Sequence, residues 1–489
     1  MICKIIKLNS ADFPAGFVAR LESILPESEH AAFFAEMQKP LRKSIRVNTL
    51  KITVPGFQKL AVELGWQLAP IPWCEAGFWI DRASHAEPLG KTWVYAAGLF
   101  YIQEAASMLP PELLAPAPGS FTLDVAAAPG SKTTQLAALQ QNTGAIIANE
   151  PEIKRIKSLS HNLELTGAGN VQLARKDGGA FEKYFPNQFD RILLDAPCTG
   201  EGTARKDPRA LLNWKEARIQ AMSDLQKRLI VAAFRSLKEE GEMVYSTCTF
   251  APEENEAVVD YLLQQFPGVA EIVPVENSNG LTEFQQQKYH PSLAGARRLW
   301  PHRDFCEGFF AAKIRKLAKT ISPVVPAGKR VARSPFQSVL EKRARELIAQ
   351  IGKYFGCAVE LPPGSALFQR DEELWLRPAR VEKWAVKMNF ERAGNRIAKL
   401  NREGQIIRLS HLGGSLLLPP DTRQALELSI EERDEFLAGR DFLPQIGDRE
   451  QGAVEGQVAL RHRGFYLGLG LLRDGKIKNQ LPRDFIVLN

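Results

Sequence analysis

Two cysteines in this chain stand where a nucleophile could act. Cys248 sits between two threonines in "VYSTCTFAPEEN" (Val244–Asn255), at the end of an apolar run that reads as a buried strand. Cys198 follows Asp195 in "ILLDAPCTGEGTARKDP" (Ile192–Pro208), again just past an apolar run. A thiolate is the reactive form, and a free thiol's pKa of about 8.5 falls beside positive charge or a helix N-terminus. Pro252 suits a first helical turn, and Glu253 and Glu254 would complement its dipole, so Cys248 is expected just ahead of a helix N-terminus. A lone strand-end cysteine is most often a small buried hydrophobe. Two of them at acid-flanked strand ends in one crevice favour chemistry instead. Zinc is the other alternative, but "PHRDFC" offers only His302 and Cys306, without a second pair at ligand spacing, so no metal is expected.

The partner for that chemistry is a small-residue loop, "DVAAAPGSKTT" (Asp124–Thr134). Ala126, Ala127, Ala128 and Gly130 let a ligand come close to the backbone, and the helix expected from Ser131 adds free N–H groups. Glu150, twenty residues after Gly130, has the spacing of an acid that bonds ribose hydroxyls. Asp177 can accept from an adenine amino group. The G-x-G-x-x-G glycines of a dinucleotide site are missing, which favours S-adenosylmethionine over NAD. Carbon 5 of cytosine is a poor nucleophile until a thiolate adds at carbon 6 and makes an enamine. Alkylating it needs a cysteine, an acid near the ring nitrogen and a methyl donor opposite. Cys248, Asp195 and the loop are those three parts.

The elements that must hold these residues follow one rhythm from about Tyr101 to Lys316. Apolar runs end at Asp124, Glu150, Asp177, Asp195 and Cys248, and helical segments such as "SKTTQLAALQ", "IKRIKSLSHNLEL" and "MSDLQKRLIVAAFRSLKEE" lie between most of them. Strand–helix alternation predicts a parallel sheet covered on both faces, with ligands beyond the strands' carboxyl ends. The fold class expected is α/β: a Rossmann-like doubly wound domain over 96–318, preceded by a small α/β module over 1–95 that suits RNA recognition. A Pro-rich basic linker is expected over 319–335, a small α+β module over 336–400 and a β-rich module over 401–489.

At 489 residues the chain suits about three domains. Its 45% hydrophobic and 24% charged residues are ordinary for a globular chain, and no apolar run reaches the roughly 18 residues that span a bilayer. "MICKIIKLNS" lacks the apolar segment of a secretory signal. The six cysteines are scattered without paired spacing, as expected for free thiols in a reducing cytoplasm. Of the net charge of +7, residues 1–320 carry +1 and residues 321–489 carry +6. That basic end suits a polyanionic partner or a solubilising surface.

Five motifs in order, "FYIQEAASML", "DVAAAPGSKT", "DAPCTGEGTARKDP", "YSTCTFAPEENEAVV" and "RLWPHRDFCEGFFAAKIRK", resemble the NOL1/NOP2/Sun family of RNA cytosine-5 methyltransferases. "SIRVNTLK" resembles the family's N-terminal motif, and the end of the chain is similar to a PUA-like RNA-binding module. The resemblance implies methyl transfer from S-adenosylmethionine to a cytidine of rRNA, in particular 16S rRNA or the small ribosomal subunit, by a cytoplasmic monomer. It implies Cys248 as nucleophile, Cys198 in product release, and Asp195 touching cofactor and base. It also assigns Ala126, Ala127, Ala128, Pro129, Gly130, Ser131, Lys132, Glu150 and Asp177 to the cofactor. Ala126 stands where the family often has cysteine and Ser131 where it often has glycine, both small replacements. The alternatives are a catalytically silent RNA-binding relative and a Rossmann dehydrogenase. The first would need a damaged site, yet both cysteines and all four strand-end acids are present.

Overall fold

Runs such as "FTLD", "AIIAN" and "VQLA" are apolar along their whole length, so as strands they need cover on both faces. In the computed structural model, which describes residues 13–83, 86–212, 214–321, 335–381, 388, 390–444 and 454–487, all three are strands buried from end to end. Most of the expected linker lies outside the described residues. No helix among the described residues is long and apolar enough to cross a membrane.

The chain first builds a four-stranded antiparallel sheet, β2 (Gln67–Ile71), β3 (Cys74–Asp81), β1 (Ser44–Val47) and β4 (Phe100–Ile102) in that order. Its sheet thus runs past residue 95. The two helices before it, Ala15–Ile24 and Glu27–Met37, pack elsewhere: Phe17 and Phe33 close on Phe250 and Trp300, beside the cysteine segment.

The central sheet has eight strands. Its parallel half comprises β5 (Phe121–Asp124), β6 (Ala145–Asn149), β7 (Val171–Ala174), β8 (Phe189–Asp195) and β9 (Leu237–Thr247). The antiparallel strands β10 (Ala270–Val273), β13 (Arg297–Leu299) and β14 (Phe309–Lys316) complete the eight, and β11–β12 (Glu283–Phe284, Gln287–Lys288) form a separate two-stranded hairpin. The order β10-β14-β9-β8-β5-β6-β7 runs outward on both sides of β5, so the chain reverses direction between β5 and β8. The crevice at such a switch point is where ligands bind in open α/β sheets.

One helix ends earlier than its sequence suggests. Ala217–Ser236 stops at Ser236, and "LKEE" already belongs to β9, because Leu237 pairs with Phe189 of β8. Lys238, Glu239 and Glu240 have no partner in the β8 or β14 registers; they span the irregularity between Leu237 and Glu242, and Glu240 takes φ 60°, outside the helical region.

The remaining chain forms a five-stranded sheet, β15 (Gln337–Ser338), β16 (Ser365–Arg370), β17 (Glu373–Pro378), β18 (Asn395–Leu400) and β19 (Ile406–Leu409), and a four-stranded one, β20 (Ala425–Glu427), β21 (Gly456–His462), β22 (Phe465–Arg473) and β23 (Lys476–Asn479). Arg392 ties the first of these to the central domain through Glu164 at 2.8 Å and Ser160 at 2.6 Å.

Candidate active site

Because β8 and β9 are parallel neighbours with Asp195 opposite Ser246, the segments leaving them emerge side by side. This places Cys198 Sγ 3.3 Å from Cys248 Sγ, both partly buried. Two main-chain bonds keep the loops together: Ala196 N donates to Ser246 O, and Gly202 N to Cys248 O at 3.0 Å. Gly202 must be glycine, since a Cβ there would lie 2.4 Å from Gly308 O and 2.7 Å from Cys248 O. The hydrogen bond to Cys248, reinforced by burial, pushes the Cys198 thiol well above its ordinary pKa.

The helix expected at Pro252 begins only at Glu256, eight residues after Cys248. Asn255 sits at φ −109°, ψ −99°, outside the helical region, and its side chain bonds Thr247 Oγ1 and Thr249 O. Cys248 therefore does not abut a helix N-terminus. Glu253 bonds Arg20 instead of serving a dipole, and Glu254 turns inward.

Asp195 is held on both oxygens. Lys132 Nζ donates to Oδ2 at 2.7 Å and Ser246 Oγ to Oδ1 at 2.8 Å. Burial works against the Lys132 ammonium, but Asp195, with further help from Cys248 and Asp124, holds its pKa above the ordinary lysine value. Asp124, at the end of β5, is pushed up to about 7 by burial, opposed by its bond from Thr133 and reinforced by the charge of Asp195.

The small-residue loop joins β5 to the helix Ser131–Leu139, with Gly130 as its N-cap at φ 107°. The positive φ of Gly130 is what calls for glycine at this turn; a Cβ there would also press on the end of the Leu159 side chain at 2.9 Å. Its outer carbonyls are bound from the next helix, Ala128 O by Arg155 and Pro129 O by Asn162. Glu150, fully buried after β6, accepts from Glu152 N through Oε1. Its Oε2 lies 3.2 Å from Arg155 Nη1 but takes no hydrogen bond among the described residues. An acceptor left open in this way fits the hydroxyl donors of a ribose, so the residues present suit S-adenosylmethionine. Asp177 lies three residues past β7, more exposed, bound by Arg228 at 2.8 Å, which holds its pKa below the ordinary value.

Sequence reasoning missed a polar cluster beneath the cysteines. Glu254 is pushed up to about 7 by burial, with Thr199's bond opposing and Glu201's charge adding. Thr199 Oγ1 lies within hydrogen-bond distance of both Glu254 Oε1 and Glu201 Oε2, and its single proton serves one of them at a time. The available signal was an acid six residues after Cys248 in a run that is otherwise buried. Arg46, from "SIRVNTLK", was also missed as a support: fully buried, it donates to Ser131 O, Thr134 Oγ1 and Gln103 Oε1, locking β1 onto the first turn of the loop's helix. His302 Nε2 lies 2.7 Å from Glu29 Oε2, and Cys306 Sγ donates to Glu307 O at 3.3 Å.

A family model described as 16S rRNA methyltransferase RsmB/F matches residues 111–315. The N-terminal domain of 16S rRNA methyltransferase RsmF matches 13–105, the pre-PUA domain of ribosomal RNA small subunit methyltransferase F matches 336–409, and the RsmF PUA domain matches 423–487. Proteins named ribosomal RNA small subunit methyltransferase F are 42% identical in Vibrio cholerae, over 97% of each chain, and 40% identical in Klebsiella pneumoniae, over 98% of this chain and 97% of that one. A methyltransferase homolog from Pyrococcus horikoshii, solved by crystallography, is 36% identical with a TM-score of 0.57, covering 63% of this chain and all of its own.

Proposed function

The chain belongs to the 16S rRNA methyltransferase RsmB/F family, and from that premise we propose which of its residues carry the reaction. It is an S-adenosylmethionine-dependent methyltransferase acting at carbon 5 of a cytidine in rRNA. Cys248 is the nucleophile: its thiolate bonds carbon 6, the carbon 5–carbon 6 π pair shifts, and carbon 5 becomes the nucleophilic end of an enamine. When bound, S-adenosylmethionine supplies the electrophilic methyl that carbon 5 takes. The loop Ala126–Lys132, Glu150 and Asp177 hold it, Asp177 by exchanging Arg228 for the adenine amino group. Asp195 with Lys132 offers the base a carboxylate acceptor and an ammonium donor. Cys198, or a base that it positions, takes the carbon 5 proton; the carbon–hydrogen pair restores the carbon 5–carbon 6 double bond, and the sulfur–carbon 6 pair leaves with sulfur to free Cys248 as a thiolate. Cys198 serves this last step.

The observation that carries the reading is the 3.3 Å approach of two thiols at the ends of adjacent strands, beside Asp195. A core-filling pair would not require the Lys132–Asp195 ion pair next to it. The substrate is the rRNA of the small subunit, as in the relatives' names, met in the cytoplasm. A groove lined by Trp375, Arg396, Arg408 and Lys478 gives the basic end of the chain a place to meet RNA. The test uses radiolabelled S-adenosylmethionine and small-subunit rRNA. Cys248→Ala should transfer no methyl and form no adduct. Cys198→Ala should stall as a protein–RNA adduct on a denaturing gel, and the double mutant should lose it. If Cys248→Ala traps RNA and Cys198→Ala does not, the roles are reversed.

A further inference from the structure

Glu254 takes no part in the reaction just described, yet its carboxylate joins the two cysteine loops. Oε2 accepts from Thr199 N at 3.0 Å and from Gln226 Nε2 at 2.8 Å. Oε1 accepts from Thr199 Oγ1, and Thr249 Oγ1 donates to it at 3.5 Å. Thr199 follows Cys198 and Thr249 follows Cys248, and their hydroxyls lie 3.0 Å apart. Gln226 Nε2 also donates to Pro197 O at 2.8 Å, so Glu254 and its amide partner hold Cys198 from both sides. Glu254 is itself fixed: Tyr245 Oη donates to its carbonyl at 2.5 Å, tying it to β9, and it is fully buried.

The grip is uneven. The Cys198 side receives two bonds to Thr199 and one through Gln226, while the Cys248 side receives a single long one. Cys248 has its own supports, the end of β9 and the bond from Gly202 N to its carbonyl. We propose that Glu254 is a positioning residue for product release: it sets the Cys198 loop against the sulfur of Cys248, and attack by Cys248 does not depend on it. The proposal rests on the cysteine roles assigned above.

The test separates the first turnover from those that follow, using the full chain, S-adenosylmethionine and small-subunit rRNA. Glu254→Ala should keep the first methyl transfer within about threefold, lower steady-state turnover roughly tenfold or more, and accumulate the Cys248–RNA adduct. Combined with Cys198→Ala it should be no worse than Cys198→Ala alone, since both act through one group. In Glu254→Gln the amide oxygen can accept from Thr199 N and Gln226 while its NH₂ donates to the threonine hydroxyls, so turnover should return to within about threefold of the parent. If Glu254→Ala does not fold, Thr199→Val carries the test and should show the same stall in smaller degree. Equal losses in both phases, or losses that multiply with Cys198→Ala, overturn the proposal. If Cys198→Ala itself traps nothing, the cysteine roles fail first and the proposal falls with them.

Discussion

The two sides of the crevice treat their carboxylates in opposite ways. On the cofactor side Glu150, Asp177 and Asp195 each meet a cation, Arg155, Arg228 and Lys132. Beneath the cysteines Glu254 and Glu201 meet neutral donors, from threonine hydroxyls, a backbone N–H and a glutamine amide. The consequences run in opposite directions. Arg228 holds Asp177 below its ordinary pKa, whereas burial pushes Glu254 up to about 7. Of these pairs Arg228–Asp177 is open to solvent and can exchange partners cheaply, while Glu150 and Lys132 are buried and hold theirs more firmly. A buried, neutral hydrogen-bond cluster exchanges nothing, which suits two sulfurs that must stay in register.

The largest expected effect comes from breaking the innermost ion pair. Asp195→Asn leaves the buried Lys132 ammonium without its counter-charge, and first-turnover methyl transfer should fall roughly 100-fold. Activity within a few-fold of the parent would remove Asp195 from the reaction. Glu150→Ala should weaken S-adenosylmethionine binding by about 1–3 kcal/mol in calorimetry, the cost of losing a hydrogen bond to a charged group. Unchanged affinity would break the ribose assignment.

The cysteine side predicts a pH effect instead. With its folded pKa near 7, above the ordinary glutamate value, Glu254 lets the folded state hold an extra proton between the two. Its contribution to stability is complete below the ordinary carboxyl range and is lost as pH rises through about 7. Glu254→Gln cannot titrate, so its Tm should fall less than the parent's between about pH 5.5 and 8, by about 2–4 °C. Parallel curves would show Glu254 to be ionised throughout. The smallest effect belongs to the most exposed pair. Arg228→Ala should change S-adenosylmethionine affinity by no more than about 1 kcal/mol, toward tighter binding, because it frees Asp177. Weaker binding would mean that Arg228 rather than Asp177 meets the ligand.

What the amino-acid order alone determined is whatever depends on local pattern. Apolar runs ending in acids, separated by helical periodicity, specify a parallel sheet and put Asp124, Glu150, Asp195 and Cys248 at one edge of it. Small residues after Asp124 specify a close backbone approach. Those features are legible because strand alternation and turn chemistry act between near neighbours in the chain. The tertiary structure decided everything that joins distant segments. Cys198 and Cys248, fifty residues apart, meet only because β8 and β9 are neighbours in the sheet. Lys132 reads as part of a cofactor loop until the fold brings it 2.7 Å from Asp195, 63 residues on. Pro252 and two glutamates look like a helix start, but Asn255 finds better partners in Thr247 and Thr249 O, and Glu254 in Thr199 and Gln226. A buried polar side chain must satisfy its hydrogen bonds with whatever the fold places beside it, and at this site that demand outweighs local helical preference.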